Sequence, residues 1–247
     1  MSVINDEAAR IGPAIPTLAA LLSIIDAARA AMPGLDPACS TDLGTALSEA
    51  SRAARAARTV AALADALASC ITVLRDLGRA SSDPATSAPA WAAAQDASAA
   101  LQLSSRSPAT RRATGLPNAV AALGEGACLG EWAVATAQVE YSDRPSALAA
   151  KAALSDRAGP TLERVARLAG QAPWRLLSRA VEQSAAHLSR RSLDLRPVVL
   201  VTTARSLPAT ALAWSLYGDP SRAADLVSRN RVGTPAFMPV RFEALAP

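Results

Sequence analysis

Histidine, lysine and aromatic residues are almost missing from this chain. Among 247 residues there is one histidine, His187, and one lysine, Lys151, and aromatic residues make up only 3%. A single histidine cannot build a His-based metal site, and His187 has no His-x-x-x-His or Glu-x-x-His companion. Members of a Ser-His-Asp triad come from distant positions, but no Gly-x-Ser-x-Gly elbow accompanies this histidine. The three cysteines, Cys39, Cys70 and Cys128, are too widely spaced for a disulfide framework or a zinc motif and read as reduced thiols. Spanning a bilayer takes roughly 20 apolar residues, which the run 18–25 does not reach. Acids Asp6 and Glu7 precede that run, so it reads as a buried helix after Pro13 and Pro16 and not as a secretory leader. Glu125 and Glu131 flank a glycine-rich stretch. Hydrolysis of a glycoside would need two carboxylates at set separation in a cleft, and Trp91, Trp132, Trp174 and Trp214 are scattered as core residues would be. Gly124, Gly126 and Gly130 follow no strand and precede no Lys-Ser/Thr, so they indicate close helix packing or a kink in place of a phosphate loop. The expectation is a protein that is not an enzyme, with no metal and no cofactor.

What is present is alanine, leucine and valine. Hydrophobic residues make up 51%, and small side chains let helix axes approach. The net charge of +4 and pI of about 9.5 come almost wholly from arginine spread among 21 acids. The pairs Arg111-Arg112 and Arg190-Arg191 read as solvated faces, which gives a nucleic-acid surface weak support. Breakers divide the first 195 residues into expected helices. One covers 17–32 and stops at Pro33-Gly34. A long one runs from a Ser40 or Thr41 cap to Leu77, with Gly78 as its stop. On it Ala53, Ala56, Val60, Leu63, Leu67, Cys70, Leu74 and Leu77 recur three and four apart, a stripe for packing in a bundle or oligomer. Arg52, Arg55 and Arg58 lie off that line, and the helix lacks the aromatic anchors of a membrane-surface helix. Residues 80–90 read as a loop, 91–103 as a helix, 104–117 as a flexible linker and 118–141 as a helix. Three more helices are expected over 145–158, 160–171 and 173–191, with Pro160 and Pro173 in first turns.

The periodicity changes after residue 195. Residues 198–203 form the only strongly β-branched run. Ser206 is expected to cap a helix with Pro208 in its first turn and Ala211, Leu212, Trp214 and Leu216 on its apolar face. Gly218 ends it in the left-handed conformation. Asp219 caps the next helix and Pro220 starts it, with Ala223, Ala224, Leu226 and Val227 inward. Asn230 closes it, as a residue tolerant of left-handed geometry. Val240, Phe242 and Leu245 mark a second strand able to pair with the first. The fold class is therefore mainly α: an Ala-rich multi-helix domain over 1–195 followed by a small βααβ module over 196–247.

The module carries a resemblance. Ser206-Leu207-Pro208-Ala209, Leu212-Ala213-Trp214, Leu216-Tyr217-Gly218-Asp219, Arg222-Ala223, Asp225-Leu226-Val227 and Arg229-Asn230-Arg231-Val232 resemble the C-terminal part of the Mu-like phage DNA circularisation proteins. Thr234-Pro235-Ala236-Phe237-Met238-Pro239 and Phe242-Glu243-Ala244-Leu245 fit the end of that pattern, although Ala236 and Val240 stand where the family usually has glycine. The strand-helix-helix-strand order is also similar to the LysM fold of phage baseplates. The resemblance implies a signature of structural and interaction residues: Ser206, Pro208, Trp214, Tyr217, Gly218, Asp219, Asn230, Pro235 and Phe237. It implies a virion protein, assembled in the host cytoplasm, at the junction of tail tube and baseplate. Its partners would be the tail tube, hub and tape measure, with several copies in a ring and no membrane. Two alternatives stay open. A LysM module elsewhere binds peptidoglycan through the loops near 204–206 and 231–236, and the family name suggests a protein that holds DNA ends.

Overall fold

A computed structural model of the chain describes residues 11–32, 34–104 and 107–246. Asp6, Glu7, Pro33 and Pro247 lie outside the described residues, as do 105 and 106 of the expected linker. The chain is mainly helical with a small C-terminal two-stranded sheet and short helices, as the sequence indicates. The helices are α1 (Ala14–Ala30), α2 (Pro37–Ala56), α3 (Val60–Ala80), α4 (Pro84–Ala99), α5 (Pro108–Gln138), α6 (Arg144–Leu168) and α7 (Gln171–Asp194). Strand β1 (Val198–Thr202), α8 (Ala209–Tyr217), a 3₁₀ turn (Pro220–Arg222), α9 (Ala223–Arg229) and β2 (Arg241–Leu245) follow. Described residues fall into two compact units. One contains the residues up to Glu140 together with Ala152–His187; the other contains Tyr141–Lys151 and the chain from Leu188 onward.

In the first unit α1 through α5 pack mutually, and Leu18, Leu21, Ile25, Leu63, Leu74, Leu77, Trp91 and Leu129 are fully buried. Close approach is set by glycine. A β-carbon on Gly124 would lie 2.5 Å from Leu21 Cδ1, so α1 crosses α5 where α5 has no side chain. The glycine stretch thus serves close packing within one continuous helix.

Six local expectations are corrected. The long helix is two. It breaks after Ala56, where the Arg58 guanidinium donates to the carbonyls of Arg55 and Ala57 at 3.0 and 2.9 Å and Thr59 caps α3. Ala53, Ala56 and Val60 are therefore exposed, and Leu43, Leu47, Ala50 and Ala54 make the apolar face of α2; from Leu63 onward the stripe is buried. The cap of α2 is Asp36, which accepts from the Cys39 N–H at 3.1 Å, and neither Ser40 nor Thr41 has that role. Gly78 does not stop a helix but lies inside α3. Residues 84–90 are not a loop, because Asp83 caps and Pro84 starts α4. The stretch 108–117 is helix: Ser107 caps α5, and Pro117 sits buried within it. Asn118 then exchanges two hydrogen bonds with the Leu103 backbone at 2.7 and 2.9 Å and pins the short connection. Pro160 likewise falls inside α6, so 145–158 and 160–171 are one helix.

Candidate interaction site

The second unit builds a small core from its C-terminal elements. Ala209, Leu212 and Ala213 of α8, Leu226 of α9, Met238, and Phe242 and Ala244 of β2 are buried together. Strands β1 and β2 pair antiparallel, with Val198 opposite Leu245 and Thr202 opposite Arg241. The segment before β2 is fastened to the start of α8. Ala209 N–H donates to the Pro235 carbonyl at 2.8 Å, Met238 N–H to the Leu207 carbonyl at 3.1 Å, and the Ser206 hydroxyl to the Met238 carbonyl at 2.7 Å. Ser206 is thus a loop fastener, not a helix cap; Pro208, in extended conformation, occupies the cap position without a side-chain bond.

Tyr217 and its neighbours turn the chain between the helices. Gly218 adopts φ +68°, as the sequence indicates, with nothing within 4 Å of a would-be β-carbon. Only backbone strain opposes a side chain there, so Gly218→Ala is expected to lower stability by about 1 kcal/mol in a urea melt. Asp219 caps the 3₁₀ turn, accepting from the N–H and hydroxyl of Ser221 at 2.9 and 2.7 Å; the hydroxyl bond first, then the N–H, holds this carboxyl below its ordinary value. The Arg222 guanidinium stacks 3.7 Å from the Tyr217 ring centroid.

Asn230 does something the sequence does not announce. Its backbone is not left-handed (φ −90°); Arg231 takes that conformation, with φ +50°. The Asn230 amide instead donates to the carbonyls of Leu226 and Glu243 at 2.8 and 2.9 Å and accepts from the Glu243 N–H at 2.7 Å. One side chain thus ties the end of α9 to the middle of β2. Trp214 is corrected too: it is 64% exposed and not a core residue, whereas Ala213 is buried; Ala224 is exposed as well. Phe237 is 72% exposed, and Leu200 and Val240 are also large apolar side chains left in solvent.

A buried ion pair completes this unit. Arg229 donates to Asp143 at 2.8 Å, with side chains 12% and 5% exposed, and reaches Asp225 at 3.5 Å. Burial by itself would raise the Asp143 carboxyl. The hydrogen bond from Arg229, those from the Ser146 hydroxyl and N–H, and one from the Ser142 hydroxyl outweigh it and bring the pKa down to about 2. Arg144 next to it donates from its side chain to the carbonyls of Ser192 and Leu193 at the end of α7, at 2.9 and 3.3 Å.

The first unit holds the other conspicuous polar groups. Glu125 is fully buried and receives the Arg164 guanidinium through two contacts, one of them Nε to Oε2 at 2.8 Å, and the Thr161 hydroxyl at 2.5 Å. Gln95 donates to Thr161, and Arg157 binds Gln95 and Asp96 while lying 5.3 Å over the Trp132 ring. Glu131 stands beside an apolar recess lined by Ile71, Leu74, Gly130, Val165 and Leu177. A β-carbon on Gly78 would collide with its carboxylate, so the absence of a side chain at 78 makes room for it. Burial pushes this carboxyl up to about 7, against the opposing pull of Arg75 and Arg79. A raised carboxyl favours its protonated form, so the stability it lends is full below about pH 4.5 and is lost as pH rises through 7. Glu131→Gln is expected to stabilise by about 1–2 kcal/mol at pH 8, allowing for partial exposure, and by nothing at pH 4. Urea melts at the two pH values check this.

The thiols of Cys70 and Cys128 are pushed up to about 12, chiefly by burial, and behave as small apolar groups. His187 is exposed, as are Arg111, Arg112, Arg190 and Arg191. Among the described residues no group of three or more His, Cys, Asp or Glu could hold a metal, and no helix is long and apolar enough to cross a membrane. The structure thus gathers Ser206, Pro208, Tyr217, Gly218, Asp219, Asn230 and Pro235 as the frame of the small module, and leaves Trp214 and Phe237 on its surface. Neither a protein-family model nor a curated protein sequence matches this chain.

Proposed function

We propose that this chain is a structural virion protein of a contractile-type phage tail. It acts as an adaptor or hub at the junction of tail tube and baseplate, and holds a neighbouring subunit with its C-terminal module. The supporting observation is the division of labour within that module. Seven signature residues are spent on turns, caps and fasteners around a self-contained core, while Leu200, Trp214, Phe237 and Val240 make no use of that core and stay exposed. Exposed large apolar side chains on a module that has its own core favour protein contact. The resemblance of 206–245 to the circularisation family supplies the phage setting. In this role the module performs no reaction, and ring formation with other copies brings the helical unit beside tube, hub and tape-measure proteins.

Mass spectrometry of gradient-purified tails from the particle that encodes the chain tests the assignment. The chain is expected in the tail fraction in several copies per particle. Its absence from assembled tails would overturn the proposal.

A further inference from the structure

The two strands of the C-terminal sheet do not have equivalent outer edges. Residue pairs in an antiparallel ladder alternate between those that exchange two backbone hydrogen bonds and those that exchange none. Thr203 N–H donates to the Val240 carbonyl at 2.8 Å, and Ala246 N–H to the Pro197 carbonyl at 2.9 Å. The register pairs Leu200 with Glu243 and Thr202 with Arg241. Bonded pairs therefore fall at 197/246, 199/244, 201/242 and 203/240, and Leu200 and Thr202 turn their N–H and C=O groups away from β2. Glu243 does the same on the far side of the sheet, and there Asn230 satisfies both of its groups. On β1 no described residue bonds to the backbone of Leu200 or Thr202, and both residues are exposed, Leu200 by 61%.

One edge of the sheet is thus closed by a side chain that imitates a strand, and the other is open. An open edge carrying Val199 and Leu200 is a template for another strand. Charge decides what kind. Arg196 precedes the strand and Arg205 follows it; both are exposed and form no ion pair among the described residues, whereas on β2 Arg241 and Glu243 stand opposite Thr202 and Leu200 with opposite charges. A second copy of this chain is the poorer occupant. Antiparallel pairing centred on Leu200 would set residue 196 of one copy against 204 of the other, so Arg196 and Arg205 would crowd together at both ends. An extended segment with carboxylates at its ends meets a guanidinium at each end of β1 instead.

We propose that the outer edge of β1 receives an extended, acidic-ended segment of a partner protein as a third strand, its backbone bonding Leu200 and Thr202 and an apolar side chain covering Leu200. The proposal rests on the reading of this module as a grip and names what it grips.

Amide exchange of the full chain, followed by NMR, tests it with a peptide of alternating valine and threonine bearing two aspartates at each end. At millimolar peptide the Leu200 and Thr202 amides are expected to exchange at least tenfold more slowly, and Val201, already bonded to β2, is expected not to change. Replacing the aspartates by lysines is expected to weaken binding at least tenfold. Leu200→Pro removes an N–H that faces away from β2, so it is expected to abolish binding and leave the sheet intact. Arg196→Glu with Arg205→Glu provides a variant with both strands untouched, and is expected to reverse the preference between the two peptides. Unchanged exchange, equal binding to Leu200→Pro, preference for a DNA duplex over the peptide, or concentration-dependent self-association through this edge would each overturn the proposal. A chain present in purified tails whose β1 edge ignores the peptide refutes the edge alone; an active edge on a chain absent from tails refutes the virion assignment alone.

Discussion

Arg164→Ala is expected to destabilise the helical unit by about 3–5 kcal/mol, the largest loss from any single charge removal in that unit. The reason is the burial of its partner. Glu125 is completely enclosed, and without Arg164 its carboxylate keeps the Thr161 hydroxyl but no cation. The pair itself contributes far less than this, because two charges must leave water for it to form. Glu125→Met combined with Arg164→Met is therefore expected to cost much less than Arg164→Ala alone. Equilibrium urea unfolding of Glu125→Met, Arg164→Met and the double variant, with Arg164→Ala alongside, measures the coupling. Equal losses for Arg164→Ala and the double variant would refute it.

Arg229→Ala is expected to cost the C-terminal unit about 3 kcal/mol by leaving Asp143 buried with only serine donors. A pH signature goes with it. Asp143 has its pKa held down to about 2 in the folded chain, so its contribution, about 2 kcal/mol, is full above pH 4 and fades as pH falls toward 2. Asp143→Asn is expected to flatten stability over that acid range. The sign is opposite to that of Glu131, which weakens the fold as pH rises, so the two groups can be separated in one pH series.

The module was more legible than the helical unit because its signals are local. A β-branched run, a glycine at positive φ, an Asp-Pro start and a returning apolar strand each act over a few residues, and each stands where the sequence places it. The helical unit offers few such signals. Alanine-rich segments are helical in every frame, so only the Arg58 side chain reaching back to the carbonyls and the Thr59 cap separate α2 from α3 at Ala57. Pro117 and Pro160 read as punctuation in the sequence, yet α5 and α6 continue through them: Pro117 is buried, and exposed Pro160 is flanked by buried Ala158 and Thr161, so the packing of the helix outweighs one missing donor.

The polar pairs were illegible for a different reason. Asp143 and Arg229 are 86 residues apart, and Glu125 and Arg164 are 39 apart. No spacing rule reaches that far. Asn230 stands out in the sequence for its backbone tolerance, but the fold uses its amide. Trp214, large and apolar, reads as a core residue, but Ala213 holds the buried position beside it. The exposure of Trp214 and Phe237 is the point at which folding alone stops explaining the sequence.

Site-specific photo-crosslinking in assembled particles tests the central claim most directly. With a photoreactive residue in place of Phe237, irradiation of purified tails is expected to join this chain to a different subunit, while the same residue at exposed His187 gives less than a tenth of that yield. Tails that contain the chain but yield no adduct from position 237 would contradict the account.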